Sequence, residues 1–514
     1  MKKRIIAGIL LAMCTFSACA QKDIYSEWEE DWAASEGISG DFKENAEGAL
    51  SEEISSDAQG TQLPTKYSLD EEGVVTDVLM YGSSHDGRPV NWAYSAYNAI
   101  ESNLLVQGKA KKGNVDLSEG HLVFWANRHP AMFDEETSDD CLRLVVSESA
   151  SLSTCLVKGI EGEMIIARIA NGAGPLSEEK VQFKDDDMAS VESSAEKLIQ
   201  DAADCRIGEY DADWFLLNAN HCDINDRDTI KRTLMEKGAM QFGYGLNFNS
   251  FSEESAFYCK TSNGLMTQMA LLVGWDDQYP KTNFKEGAQP EHDGAWLVYE
   301  PGGDALGVGR EIWVSYEDAT IKDMISYEMC ERADYGEILF HDAIGYRDLI
   351  KTEDEYTTVA NVFTMEEEGA LKAVGIYTLD ANQQVEIDVY GNPLDGTPDN
   401  GDWMTSLSLE VTNKGYHVFD LTETVPLQKG DRFSVVVRYL NSEETGSAAV
   451  EGKKGETLAA IGKVNYHMVS EIGESFAFTN GTWYDLSLEE SAEYFGKEDA
   501  INNACIKAIL ENKS

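Results

Sequence analysis

From Asn91 to Leu104 the chain is apolar or small at nearly every position. Trp92, Ala96, Ala99, Ile100, Asn103 and Leu104 recur at three- and four-residue steps, the period of one helix face. The positions between them are mostly small or aromatic, so the pattern predicts a helix buried on most sides. Asn91 follows Pro89 and is placed to cap that helix, its side-chain oxygen accepting a free N–H of the first turn. A second helical period runs from Asp226 to Lys237. It assigns Ile230, Leu234 and Met235 to one face and Asp226 or Asp228 to the cap. Extended apolar runs follow at 240, at 266–277, at 296–299 and at 312–316. Beyond Tyr335 the pattern changes to short β-like segments separated by turns: 359–365, 370–377, 384–390, 407–411, 415–421 and 432–439. Spacing of this kind predicts an antiparallel sandwich.

The first residues break from both patterns. Met1-Lys-Lys-Arg4 and the apolar run from Ile5 to Phe16 read as a signal peptide over 1–18. Phe16-Ser17-Ala18-Cys19 has the form of a bacterial lipobox, which makes Cys19 the lipidation site. The alternative is an ordinary cleavage after Ala20. Residues 19–60 are rich in Glu, Asp, Ser and Ala and predict an acidic tether. No later run is apolar and long enough to span a bilayer. The expected location is the outer face of the bacterial cytoplasmic membrane through the anchor, or secreted if the lipobox is not used.

The 514 residues are enough for roughly two or three domains. A net charge of −51 sets this surface against nucleic acid and anionic lipid as direct partners. Nine cysteines less Cys14 and Cys19 leave seven: Cys141, Cys155, Cys205, Cys222, Cys259, Cys330 and Cys505. Seven is odd, so at least one stays unpaired. Their spacing matches no zinc pattern. Buried thiols and a bridge such as one from Cys205 both remain open.

The stretch from Leu63 resembles the start of a papain-family cysteine peptidase. Leu63, Pro64, Tyr67, Val75, Thr76, Val78 and Gly82 match its lead-in. Trp92, Ala93, Ser95, Glu101, Ser102, Asn103 and Leu104 match its central helix. Asp116-Leu-Ser-Glu119 and Gly174-Pro175-Leu-Ser-Glu178 are similar to later family segments. Val273-Gly-Trp-Asp-Asp277 resembles the strand that carries the family's histidine, and Asp293-Gly-Ala-Trp296 the strand that carries its asparagine. The resemblance implies an α+β, two-lobed papain-like domain (a helical lobe plus a β lobe) over 61–334. It also places the catalytic positions. The nucleophile position holds Asn91, the histidine position Gln268, the asparagine position Glu300 and the oxyanion-hole position Tyr81. The loop before Asn91 is longer than the family's.

The second half resembles the lectin-like domain of some Gram-positive surface proteins. Ala360 to Thr364, Leu371 to Gly375, Phe433 to Val436, Trp483-x-Asp485 and Cys505 to Ala508 carry that likeness. It implies a jelly-roll-type antiparallel β-sandwich over 335–514. Asp395, Asp399, Asn400 and Asp402 cluster in one turn. Oxygen ligands that close together are suited to calcium, and a polar hairpin turn is the simpler reading.

Papain chemistry needs a thiolate, a histidine to move its proton and a donor for the oxyanion. Asn91 offers no ionisable nucleophile, and Gln268 does not exchange protons near neutral pH. The expectation is therefore not an enzyme but a lipid-anchored binding protein without cofactor. Its candidate ligands are peptide, cell wall or carbohydrate. Two other readings stand beside it. One is an active cysteine peptidase using displaced residues, with Ser83, Ser84, His85, Cys259 and His292 as candidates. The other is a structural surface scaffold.

Overall fold

The structure, a computed structural model, describes residues 62–76, 91–126, 141–143, 162–181, 210–262, 267–301, 303, 307–452, 454–458, 463–468, 470–498 and 500–512. The leader with Cys19, the tether, Tyr81, residues 83–85, Cys155 and Cys205 lie outside them.

Helix α1 spans Asn91–Val106, and every side chain from Asn91 to Leu104 is buried. That agrees with a stretch that is apolar all round. Its polar trio is consumed by backbone. Glu101 Oε1 accepts from the Leu117 N–H at 2.7 Å. Ser102 Oγ donates to the Val74 carbonyl at 2.7 Å and accepts from the Ala239 N–H at 2.9 Å. Asn103 donates to the Lys237 carbonyl at 2.9 Å and accepts from the Met329 N–H at 3.2 Å. Buried polar groups persist when satisfied in this way, so these side chains pin the helix to neighbouring segments. Gly108, in the left-handed region at φ 66°, follows the last turn.

The shorter helices are α2 (Glu119–Ala126), α3 (Gly162–Ala170), α4 (Arg227–Lys237) and α5 (Glu489–Ala492). Asp226 caps α4, its side chain accepting from the Thr229 N–H at 3.0 Å. Ile230 and Leu234 are buried, but Met235 is 37% exposed, against the expected face. The third buried position of α4 is Lys231. Its stem lies under the helix, its ammonium is 2.5 Å from Asp277 Oδ1, and it sits over the Trp275 ring.

The strands of the first half are β1 (Lys66–Ser68), β2 (Cys141–Arg143), β3 (Trp214–His221), β4 (Met240–Gly245), β5 (Ala256–Phe257), β6 (Thr267–Asp276), β7 (Ala295–Tyr299), β8 (Glu311–Ser315) and β9 (Asp323–Glu331). Then follow β10 (Ile338–Leu339), β11 (Asp348–Ile350), β12 (Tyr356–Thr364), β13 (Gly369–Thr378), β14 (Gln383–Gly391), β15 (Asp402–Val411), β16 (Lys414–Leu427) and β17 (Arg432–Leu440). The last are β18 (Ala448–Val450), β19 (Lys454–Leu458), β20 (Lys463–His467), β21 (Ser475–Thr479), β22 (Thr482–Asp485) and β23 (Ile506–Leu510).

A twelve-stranded sheet runs in the order β10-β23-β13-β16-β3-β9-β4-β6-β7-β8-β5, with β1 added on β6. A six-stranded sheet, β15-β14-β17-β12-β21-β22, packs its inner face on the β16-β13-β23 end of the large one. Val385, Ile387, Val389, Val435 and Val437 meet Val374, Ile376 and Ile506 in that core, and alternation along each strand sends polar residues to the other face. Helix α1 packs on the other end of the large sheet, in a core with Trp275, Trp296 and Phe242.

The two halves share backbone. In β16, Lys414 to His417 pair with His221 to Asn218 of β3, so one ladder crosses from the first half of the chain to the second. Gly415 makes the join possible. Its φ is +133°, and a Cβ there would stand 1.9 Å from the Ala219 carbonyl oxygen. Strand β2 pairs with β20 in the same sense, first half to second. Gly274 plays a similar part in β6, where a Cβ would meet the Tyr67 carbonyl oxygen of β1 at 2.2 Å.

Candidate functional site

Strand β6 lies between β4 and β7, in register Tyr244↔Gln268 and Leu271↔Tyr299. The sheet therefore brings Gln268, Tyr244 and the residue after β7, Glu300, to one place. Gln268 Nε2 donates to Glu300 Oε1 at 2.7 Å, and the Tyr244 hydroxyl donates to Glu300 Oε2 at 2.8 Å. Glu300 is fully buried and Gln268 is 7% exposed. The Glu300 main chain is held as well, its N–H donating to the Arg310 carbonyl at 2.8 Å and its carbonyl accepting from the Gly303 N–H at 2.9 Å. A buried carboxylate is costly unless its oxygens are bonded, and here two neutral donors supply those bonds. Burial, then the charge of Glu300, push the Tyr244 phenol well above its ordinary range, so it stays a donor.

Asn91 is the first helical residue of α1, and its Oδ1 accepts from the Trp92 N–H at 3.1 Å. The first turn of α1 is tied to β4, since Gln241 Nε2 donates to the Ser95 hydroxyl at 3.2 Å and the Tyr327 hydroxyl donates to Gln241 Oε1 at 2.7 Å. Of the expected positions, the structure thus joins Gln268 to Glu300 directly and sets Asn91 at the helix start. Tyr81 lies outside the described residues. Tyr244 was not singled out by the sequence. The signal was its place in an apolar strand beside a polar residue on the neighbouring one.

The rescue candidates within the described residues go elsewhere. Cys259 is buried, and its thiol donates to the Thr261 carbonyl at 3.2 Å. His292 is at the surface, with Nδ1 2.5 Å from Glu317 Oε1. Cys222, Cys330 and Cys505 are free thiols. Burial pushes Cys222 up to about 11, Cys330 up to about 12 and Cys505 well up, so each stays protonated near neutral pH. Among the described residues no group of His, Cys, Asp and Glu is arranged to hold a metal. In the acidic turn, Asp395 instead pairs with Arg432 at 2.7 Å and Asp399 accepts from the Trp483 indole at 2.8 Å.

Beneath α1 lies an acid cluster. Glu101 also accepts from the Thr76 hydroxyl at 2.5 Å. Burial, opposed in part by these hydrogen bonds, raises Glu101 to about 8. Burial and the charge of Glu101 raise Glu119 well above its ordinary value. Glu101 is thus neutral through much of the range below about pH 8, and Glu119 is shifted in the same direction.

A second surface lies on the outer face of the six-stranded sheet. Trp403 is 61% exposed, and its indole N–H donates to Asp388 Oδ1 at 3.3 Å. Arg438 pairs with the other oxygen of Asp388. On the same face a depression of about 330 Å³ is lined by Tyr356, Gln384, Glu386, Ser408 and Glu410. An exposed aromatic plane beside charged planar groups suits a ligand with apolar C–H faces and many hydroxyls.

The geometry and the comparisons agree on the class. Residues 338–510 match the family model described as a lectin like domain. The fold of the chain is that of the similar structures, in which a cysteine protease domain is followed by a lectin-like domain. One similar structure holds the cysteine protease and lectin-like domains of Cwp84, a surface layer associated protein of Clostridium difficile. It is 22% identical, with a TM-score of 0.67 over 88% of this chain and 90% of that one. Another is the clostridial cysteine protease Cwp84 after propeptide cleavage, also 22% identical, with a TM-score of 0.66 over 87% of this chain and 99% of that one. No curated protein matches the sequence.

Proposed function

We propose that this chain is a cell-surface binding protein whose papain-like domain, divided from the lectin-like domain near residue 335, does not cut peptides. The observation that carries the reading is the Gln268 amide bonded to buried Glu300, where the papain resemblance expects a histidine and an asparagine. An amide at that position neither takes a proton from a nucleophile nor returns one to a leaving amine. With Asn91 at the nucleophile position, no sulfur is available to become an anion at the helix start. The substrate groove then serves as a seat for peptide or cell-wall strands. The Trp403 face of the second domain serves carbohydrate. Lipidation at Cys19 would hold both outside the membrane, in keeping with the surface-layer association of the similar Clostridium difficile protein.

A second reading is an active cysteine peptidase, and it is favoured by one fact: the similar structures are of a cysteine protease. The test is direct. The purified chain is incubated with generic peptide substrates and a thiol-reactive probe, and screened on a glycan array. The binding reading expects no turnover and array signals that fall with Trp403→Ala. Peptide turnover lost on Cys259→Ala or Ser84→Ala sinks it in favour of the peptidase. Silence in the array and in pull-downs with cell-wall fragments leaves a scaffold.

A further inference from the structure

The large sheet hides an amine and a carboxyl in contact. Lys507, in β23, and Asp342, in the segment between β10 and β11, both have fully buried side chains. The Lys507 ammonium is hydrogen-bonded to Asp342 Oδ2 and lies 3.4 Å from the Asp342 carbonyl oxygen. Aromatic rings surround them. The amine sits 5.4 Å from the centre of the Phe340 ring, and the charge of Asp342 acts on Tyr377 and Tyr416, whose ring centres are 5.2 Å apart. Across the ladder from Lys507 is Gly375, where a Cβ would strike the Tyr416 hydroxyl oxygen at 2.2 Å. The Asp342 main chain is fixed by Asn171, just past α3, whose Nδ2 donates to the Asp342 carbonyl at 2.9 Å. The Cys505 thiol is hydrogen-bonded to the same carboxyl, and the charge of Glu451 acts on Cys505 as well.

We propose that Lys507 and Asp342 are joined by an isopeptide bond that the folded domain forms by itself. Two opposite charges removed from water this completely gain by returning to neutral amine and neutral acid. Burial raises the Asp342 carboxyl above its ordinary value, in the same direction. A proton passes from the ammonium to the carboxylate. The amine lone pair then attacks Cγ of Asp342, and the carbonyl π pair moves onto oxygen. As that pair returns, the C–OH bond breaks. The leaving oxygen takes a proton from the nitrogen, relayed by the Cys505 thiol, and departs as water. One C–N bond forms, one C–O bond breaks, and nothing is oxidised or reduced. Fixed contact between the partners supplies the effective concentration that a free amine and acid lack. The bond would tie the first segment of the lectin-like domain to its last strand, 165 residues apart in sequence.

Mass spectrometry of the tryptic digest of the native chain tests the bond. Trypsin does not cut after an acylated lysine. The proposal expects residues 333–347 linked to residues 498–513, at the summed mass of the two peptides less one water. Asp342→Ala is expected to abolish the branched peptide and to restore cleavage after Lys507. If the native digest instead yields two separate peptides, with the Lys507 amine acetylated by an amine reagent after denaturation, the bond does not exist. The native digest needs no variant, so it tests the bond even if Asp342→Ala fails to fold.

Discussion

The amide of Gln268 and the carboxylate of Glu300 are 2.7 Å apart, buried, and bonded to each other. Each position holds a residue of the wrong chemistry for papain catalysis, yet the two fit one another. A site that had merely decayed would leave orphaned donors and acceptors, and this one is satisfied. On the proposed non-catalytic reading, Asn91, Gln268 and Glu300 have to change together before peptide hydrolysis can appear.

The triple substitution Asn91→Cys, Gln268→His and Glu300→Asn is expected to leave peptide hydrolysis at the level of the blank. Tyr244 would lose the carboxylate it donates to, the asparagine amide being one methylene shorter, and Pro301 would still follow the third position. A burst of product in a fluorogenic peptide assay would show instead that the groove retains working geometry.

Glu300→Ala is expected to cost about 2–4 kcal/mol, because it strands the Tyr244 hydroxyl and the Gln268 amide together. Urea denaturation followed by tryptophan fluorescence measures it. Glu300→Gln keeps one acceptor and is expected to cost less.

The contribution of Glu101 to stability is expected to fall as pH rises from about 4.5 to 8. Unfolded Glu101 ionises near its ordinary value, while burial holds the folded group neutral to about 8. Between these points the folded state carries the extra proton, so the contribution present at low pH is lost at about 1.4 kcal/mol per pH unit. The charges of Asp116 and Glu178 add to the rise of Glu101 and so extend the window upward without changing its slope. Glu101→Gln mimics the neutral acid, and melting temperatures across that range are expected to flatten in the variant.

The ladder between the halves carries an opposite dependence. His417 of β16 contacts Asn218 of β3 at 3.1 Å, the Thr378 hydroxyl at 3.1 Å and the Asn413 carbonyl at 3.0 Å. Burial, with a smaller push from His221, lowers it to about 4. The unfolded chain binds a proton below about 6.5, so this contribution is intact above that pH and is lost as pH falls toward 4. His417→Gln is expected to remove that acid-side loss in the same melting series.

Gly415→Ala is expected to cost at least about 2 kcal/mol, since the new Cβ meets the Ala219 carbonyl in a backbone region L-residues avoid. Calorimetry is expected to show one transition for the native chain and two for the variant.

Much of this was legible in the residues. The all-round apolar run at 91–104 gave α1, and the six β-like segments of the second half fall on β12 to β17, which run longer at most ends. Gln268 and Glu300 could be placed by their matching neighbours. What periodicity does not encode is which strand lies beside which. The pairing of β16 with β3, the arrival of Tyr244 beside Gln268 and the meeting of Lys507 with Asp342 all join residues far apart in sequence. Met235 failed for a local reason. Lys231 took the buried place that a count of apolar residues reserves for methionine.

The shared ladder bears on how this molecule can be cut. A fragment beginning at 338 would carry the matched lectin-like segment whole, but Lys414 to His417 would lose their neighbours on β3. Such a piece ends in a raw seam whose amides and carbonyls look for another chain, and it would cling to its own copies in solution. Anyone dissecting the protein for ligand work needs the first half present as a chaperoning edge.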